Sequence, residues 1–182
     1  IVSYDLADGA VIWQCGGMTA NAIPTPVSDD GIIYITSGFR GNALLAIRLE
    51  GAKGDITGTE SVVWSYDRDT PYVPSPLLYN GMLYFLKSND GILSGLDVKT
   101  GAKHFGPQRL EGIEGIYASP VGVGDRVYIT GRNGTTLVLK QSTQFEVLGG
   151  NALDDSFSAS PAIAGDELFL RGEKVLYCIA QD

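Results

Sequence analysis

The sequence predicts an all-β protein: a β-propeller fragment of about four four-stranded antiparallel blades. Three observations predict it. One twelve-residue string recurs four times without a gap, as PTPVSDDGIIYI (24–35), PSPLLYNGMLYF (74–85), ASPVGVGDRVYI (118–129) and ASPAIAGDELFL (159–170). The prolines Pro26, Pro76, Pro120 and Pro161 stand 50, 44 and 41 residues apart, a period at which one propeller blade repeats. No window holds a sustained 3.6-residue apolar period, and glycine, at 24 of 182 residues, suits a chain of many turns.

Each string is a hairpin. Proline is tolerated at the first residue of a strand, and the pairs Asp30-Gly31, Asn80-Gly81, Gly124-Asp125 and Gly165-Asp166 favour tight two-residue turns. Residues 1–17 read as the end of a preceding blade, its last two strands inside VSYDLADGAVIWQ. Residues 24–67 form a blade whose third strand is ALLAIRL (43–49) and whose outer strand is SVVWSY (61–66). Between these strands an insertion, EGAKGDITGTE (50–60), lengthens the turn. The blade at 74–107 continues with GILSGLDV (91–98) and AKHFG (102–106), and that at 118–149 with TTLVLKQ (135–141) and FEVL (145–148). Residues 159–182 supply the first three strands of a closing blade, ending in KVLYCIA (174–180). The second strands IIYI, MLYF and RVYI are apolar on both faces, as expected where each face is covered by a neighbouring blade.

Composition narrows the function. A net charge of −8 argues against nucleic acid, whose phosphates demand a basic surface. No apolar run approaches the ~18 residues of a membrane-spanning helix. The chain opens inside a strand-like run without Met or a signal peptide, and reads as a fragment or a processed product. Cys15 and Cys178 lie far apart on apolar strands and read as buried free thiols rather than a disulfide framework or metal ligands.

The segment YDLADGAVIW sets Asp5, Gly9 and Trp13 at the spacing D-x-x-x-G-x-x-x-W. Asp97 and Gly101 repeat it with Phe105 in the tryptophan place, and Trp64 keeps the aromatic after the insertion. The blade at 118–149 departs, with Lys140 for the aspartate and Leu148 for the tryptophan. The pattern resembles the tryptophan-docking repeat of the pyrroloquinoline-quinone (PQQ)-type propellers. The whole chain is similar to bacterial secreted PQQ-like repeat proteins related to the propeller lipoprotein of the outer-membrane barrel-assembly machinery. The resemblance implies the C-terminal half of an eight- or seven-bladed parent propeller and a periplasmic or secreted location. It also implies a structural role for the motif, each indole lying across the next blade. An incomplete ring leaves open flanks, so self-association or an upstream half of the parent is expected to close it. The spare outer strand AVIWQ then complements the C-terminal blade.

Antiparallel strands decide which connections share a face. The loops before each Ser/Thr-Pro lie on the same face as the turns between second and third strands. That face gathers Arg40, Arg68, Asp69, Tyr72, Asn89, Asp90, Tyr117, Arg132, Asn133, Asp155 and Arg171. Polar, variable loops on a repeated scaffold are where binding resides, although solvated loops carry such residues in any protein. The opposite face carries mostly tight turns. Ser-His-Asp catalysis would have to recruit His104, the sole histidine, and there is no G-x-S-x-G elbow, phosphate-binding loop or calcium loop. The expectation is a non-catalytic extracytoplasmic scaffold, without a cofactor of its own, that binds a protein or extended ligand on the loop-rich face. The alternative is half of a PQQ- and calcium-dependent quinoprotein dehydrogenase, its remaining ligands in other blades.

Overall fold

The computed structural model describes residues 1–180, in which eighteen strands are joined by turns and loops with no helix. Three four-stranded antiparallel sheets lie in sequence along the chain. The first holds β3 (Val27–Asp29), β4 (Ile32–Ser37), β5 (Ala43–Arg48) and β7 (Val62–Tyr66). The second holds β8 (Leu77–Tyr79), β9 (Met82–Leu86), β10 (Ile92–Asp97) and β11 (Lys103–Arg109). The third holds β12 (Val121–Val123), β13 (Arg126–Thr130), β14 (Thr135–Lys140) and β15 (Val147–Ala152). At the N-terminal end β1 (Val2–Tyr4) pairs with β2 (Val11–Gln14), and at the C-terminal end β16 (Ala162–Ala164), β17 (Glu167–Arg171) and β18 (Leu176–Ile179) form a three-stranded sheet. This is a propeller fragment of four-stranded blades flanked by two partial ones.

Alternation along the second strands explains their unbroken apolarity. In β4, Ile35 packs back against Trp13 and Cys15 of the N-terminal sheet, whereas Tyr34 packs forward against Leu83, Phe85 and Leu96 of the second blade. In β9, Leu83 and Phe85 face the first blade, while Met82, Tyr84 and Leu86 face Val127 and Ile129 of the third. Three interfaces between neighbouring sheets each hold such a core. The registers follow the hairpin signals. Asp30 and Asn80 take φ of 47° and 46°, with their partner glycines at 74° and 75°, the mirror-image turn that matches strand twist.

The Ser/Thr-Pro repeat has a function in this packing that the sequence left unexplained. The backbone N–H of Thr25 donates to Ser75 Oγ, that of Ser75 to Ser119 Oγ, and that of Ser119 to Ser160 Oγ, each at 2.9 Å. A hydroxyl chain thus links the heads of four innermost strands, while the proline that follows each hydroxyl residue has no N–H of its own to satisfy.

Five expectations need correction. The insertion is not merely a longer turn: its residues Gly54–Asp55 form β6, which pairs in parallel with Trp13 and Gln14 of β2. The strand AVIWQ is consequently not spare, because β1 and β6 occupy its two edges. Trp13 is 5% exposed within its own chain, packed by Ala52 and Ile56 of the insertion, so it does not line an open flank. Cys15 is buried but Cys178 is exposed, since no sheet covers the outer side of β18. The outer strands also run later than expected, β11 to Arg109 and β15 from Val147 to Ala152.

Candidate functional site: the loop-rich face

The D-x-x-x-G spacing builds a tight turn at the end of a third strand. Gly9 N–H donates to Asp5 O and Asp5 N–H to Ala10 O, and the same pair recurs between Gly101, Asp97 and Ala102. The Asp97 carboxylate also accepts from the N–H groups of Lys99 and Thr100 and from the Thr100 hydroxyl. The Thr100 hydroxyl is the main reason that this carboxyl titrates below its ordinary value. The Trp64 indole of the first blade lies on this turn of the second. Its Nε1–H donates to Val98 O at 3.2 Å, and a Cβ on Gly101 would fall 2.7 Å from the indole ring. Phe105 approaches Phe145 of the third blade at a centroid distance of 5.9 Å. Leu148, at the corresponding place in the third blade, is 45% exposed. The third blade and the C-terminal sheet leave a cleft of about 720 Å³ between them, lined by Tyr128, Val138, Leu168 and Ile179 among others. These contacts belong to blade packing.

The other face carries the connecting loops, and there the sequence-derived residues divide into two kinds. Some are spent internally. Asn89 Oδ1 accepts the Val73 N–H, and Asn133 binds Gly112 O through Nδ2 and the Glu114 N–H through Oδ1, so both side chains fasten inter-blade loops to turns. Asp155 is 9% exposed and accepts from the N–H groups of Ser156, Lys174 and Val175. Burial is the strongest single influence on its carboxyl and pushes it up, but those three N–H groups and the Lys174 charge together outweigh it and hold the carboxyl below its usual range. Asp69 pairs with Lys87 at 3.0 Å, and Arg68 with its neighbour Asp67 at 3.7 Å. Asp90 caps the turn through its backbone, donating its N–H to Lys87 O.

The rest present flat or charged surface outward. Tyr72, from the loop between the first two blades, stacks on Phe39 at 4.8 Å, and its hydroxyl accepts a bond from Asn21 Nδ2 at 2.8 Å. Arg40 lies over the Phe39 ring at 5.2 Å. Further along, Arg132 covers the Tyr117 ring at 4.6 Å, with Tyr117 still 37% exposed. Arg171 is exposed at the C-terminal end of β17. The structure therefore gathers Arg40 and Tyr72 into one patch and Tyr117 and Arg132 into a second. Sequence reasoning missed Phe39 and Asn21, which complete the first patch. Phe39 had a signal, being a large apolar residue inside a turn.

Backbone strain concentrates at the first patch. Among non-glycine residues with positive φ, Asp30 and Asn80 serve hairpin turns, whereas Asn21 (59°), Arg40 (54°), Asp69 (51°) and Ser88 (51°) surround Tyr72. Ser88 O accepts the Tyr72 N–H, and Asn21 holds its hydroxyl. Left-handed non-glycine residues cost of order 1–3 kcal/mol each and cluster where geometry serves binding. Among the described residues no three His, Cys, Asp or Glu side chains converge as metal ligands. His104 Nε2 stands 3.8 Å from Asp97 Oδ2, and that carboxylate is the one held by the Thr100 hydroxyl in the tight turn.

Residues 1–113 match the sequence family described as outer membrane protein assembly factor BamB. No curated protein sequence matches the chain. Among solved structures, the computationally designed Ika4 protein is similar with a TM-score of 0.70 at 12% identity, over 94% of this chain and 98% of that one. The designed Ika8 protein has a TM-score of 0.70 at 14% identity, over 98% of this chain and 51% of its own. The quinohemoprotein alcohol dehydrogenase of Comamonas testosteroni has a TM-score of 0.62 at 17% identity, over 84% of this chain and 29% of its own. The chain thus spans about half of Ika8 and under a third of the dehydrogenase, and at these identities the likeness is one of fold.

Proposed function

Because the chain belongs to the PQQ-type repeat family described as outer membrane protein assembly factor BamB, we propose that it is an extracytoplasmic propeller scaffold that binds a protein in extended form on its loop-rich face. The single observation that carries this reading is the strained patch of Asn21, Phe39, Arg40 and Tyr72, which holds a stacked aromatic pair and a guanidinium outward. The second patch, Tyr117 with Arg132, offers the same chemistry two loops away. Tyrosine and arginine are residues on which binding energy concentrates: tyrosine buries much area for little lost rotamer freedom, and arginine presents several hydrogen-bond donors in one planar group. A scaffold of rigid sheets fixes where the loops stand, and that preorganisation lowers the entropic cost of capture. The free edges of β1 and β18 are where a second copy or an upstream half would join the ring, leaving the loop face available.

The test begins with peptides selected against this protein from a random extended library. Replacing Tyr72, Tyr117 and Arg132 together by Ala is expected to abolish their capture while lowering Tm by only a few degrees. Asp30→Ala with Asp125→Ala, on the opposite turns, is expected to leave capture intact. Equal loss from both sets would overturn the assignment of the face. Saturable micromolar binding of PQQ with calcium, followed by absorbance and thermal shift, would instead favour the dehydrogenase reading.

A further inference from the structure

In two of the three full blades the outer strand lays an aromatic ring against the next sheet, and in the third blade that ring is missing. Paired residues on neighbouring antiparallel strands point to the same face, so each blade carries a row across its second, third and outer strands. In the first blade the row is Tyr34, Ala46 and Trp64, and in the second it is Tyr84, Gly95 and Phe105. The two rings of each row meet, at centroid distances of 5.7 and 6.1 Å, and both tyrosines are almost wholly buried. In the third blade the row is Tyr128, Val138 and Gly149. Leu148 holds the sequence place of the motif, but it falls in the bulge of the outer strand, as Val63 does in the first blade, and Gly149 stands where the ring belongs. A Cβ on Gly149 would meet nothing within 4 Å, and its backbone is not left-handed. Tyr128 is correspondingly only half-buried.

The space left is the cleft of about 720 Å³ between the third blade and the C-terminal sheet, walled by Tyr128 and Val138 on one side and by Leu168 and Ile179 on the other. Each of the other three interfaces between neighbouring sheets is filled by a core of buried residues. We propose that this cleft is a binding site for an aromatic side chain of a partner polypeptide, whose ring rests on Tyr128 and Val138 as Trp64 and Phe105 rest in their own rows. The interface is continuous with the two before it, and in both of those the same row position holds an aromatic side chain. A ring suits apolar walls on two facing sheets, and its contact with Tyr128 adds to the area it buries. Asn151, which also lines the cleft, offers an amide that can accept an indole N–H. A polypeptide is favoured over a free aromatic molecule because the cleft runs on into a second opening of about 510 Å³ beside the hairpin turns, with Tyr128 and Leu168 common to both. The chain on either side of the ring then has a path, while the pocket supplies the specificity. This site lies between sheets and is independent of the reading of the loop-rich face.

The probe is a nine-residue Gly-Ser peptide with one central Trp and both ends capped, titrated into the nitrogen-15-labelled full chain and followed by amide chemical shifts. Saturable shifts with a Kd below about 1 mM are expected. They should centre on residues 126–128, 136–138, 149–151 and 166–168, with none from the same peptide carrying Ala at its centre. Gly149→Trp supplies the ring from the chain itself, and is expected to match or raise Tm and to abolish binding of the Trp peptide. Val147→Trp, whose pairing partner Leu139 faces the second blade, is expected to bind the peptide as the parent does. If Gly149→Trp melts below the parent, Gly149→Leu fills the same space with less bulk, and the same loss of binding is expected of it. Lower melting of both would overturn the inference, because the row would then not be open. Failure of the Trp peptide to bind, equal shifts from the Ala peptide, or unchanged binding to the filled variant would overturn it as well. So would shifts confined to the loops around Tyr72 and Tyr117. Free indole that shifts the cleft residues where the Trp peptide does not would assign the site to a small aromatic molecule and overturn the polypeptide as its occupant.

Discussion

Gly101 meets two demands at once, and the pair Gly9 and Gly101 separates them. Both sit at positive φ, 74° and 69°, in the same turn of consecutive motif copies. A Cβ on Gly9 would meet nothing within 4 Å, whereas one on Gly101 would strike the Trp64 ring. Gly9→Ala is expected to lose only the left-handed backbone term, about 1–2 kcal/mol. Gly101→Ala is expected to lose a further 1–3 kcal/mol or so from displacing the indole, measured by urea unfolding. Equal losses would show that the indole does not rest on the turn. Asp155 gives a second residue-scale prediction. Its folded carboxyl titrates below the unfolded value of about 3.9, so its stabilising contribution is present above that pH and vanishes as pH falls through the lower folded value. Asp155→Asn should therefore be less stable than the parent at pH 7, with the gap closing below about pH 4. A gap that persists unchanged into acid would assign the effect to packing instead of charge.

At the scale of elements, hydroxyls at the strand heads tie each blade to the next. Removing the acceptor by Ser119→Ala leaves the Ser75 N–H without its partner and should lower stability by about 1–2 kcal/mol, and Ser119→Thr should restore most of it. No loss in the alanine variant would mean that water replaces the hydroxyl at no cost. The Ser/Thr-Pro repeat itself was legible because proline and turn dipeptides act locally, at fixed offsets. The hairpins fall where Asp30-Gly31, Asn80-Gly81, Gly124-Asp125 and Gly165-Asp166 placed them. Outer strands were less legible. Residues Lys103–Arg109 and Val147–Ala152 are mostly exposed and carry little apolar alternation to mark their ends. β6 was invisible because its two residues, Gly54 and Asp55, carry no apolar side chain, and they hold β2 by backbone pairing and one bond from Gln14 Nε2 to the Asp55 carboxylate. The buried Ala52 and Ile56 around it were the available hint that the insertion folds back on Trp13.

For the whole molecule, the period and the doubly apolar second strands determine a stack of sheets whose two sides differ in kind. One side turns tightly, and the other carries the loops and four of the six left-handed non-glycine residues, Asn21, Arg40, Asp69 and Ser88. The side on which each candidate residue lies followed from antiparallel connectivity alone. Which of them are bonded within the fold did not, because the partners of Asn89, Asn133, Asp155 and Tyr72 all come from distant loops. The Phe39–Tyr72 stack likewise joins a turn to an inter-blade loop across a sequence gap that no local pattern spans. The central claim, that the loop-rich face binds an extended protein segment, is tested most directly by amide hydrogen exchange with and without a library-selected peptide at saturation. The account predicts slowed exchange in residues 37–42, 67–73, 111–117 and 131–134, with the hairpin turns at 29–32 and 123–126 unchanged. Protection confined to those hairpin turns, or to the free edge of β18, would contradict it.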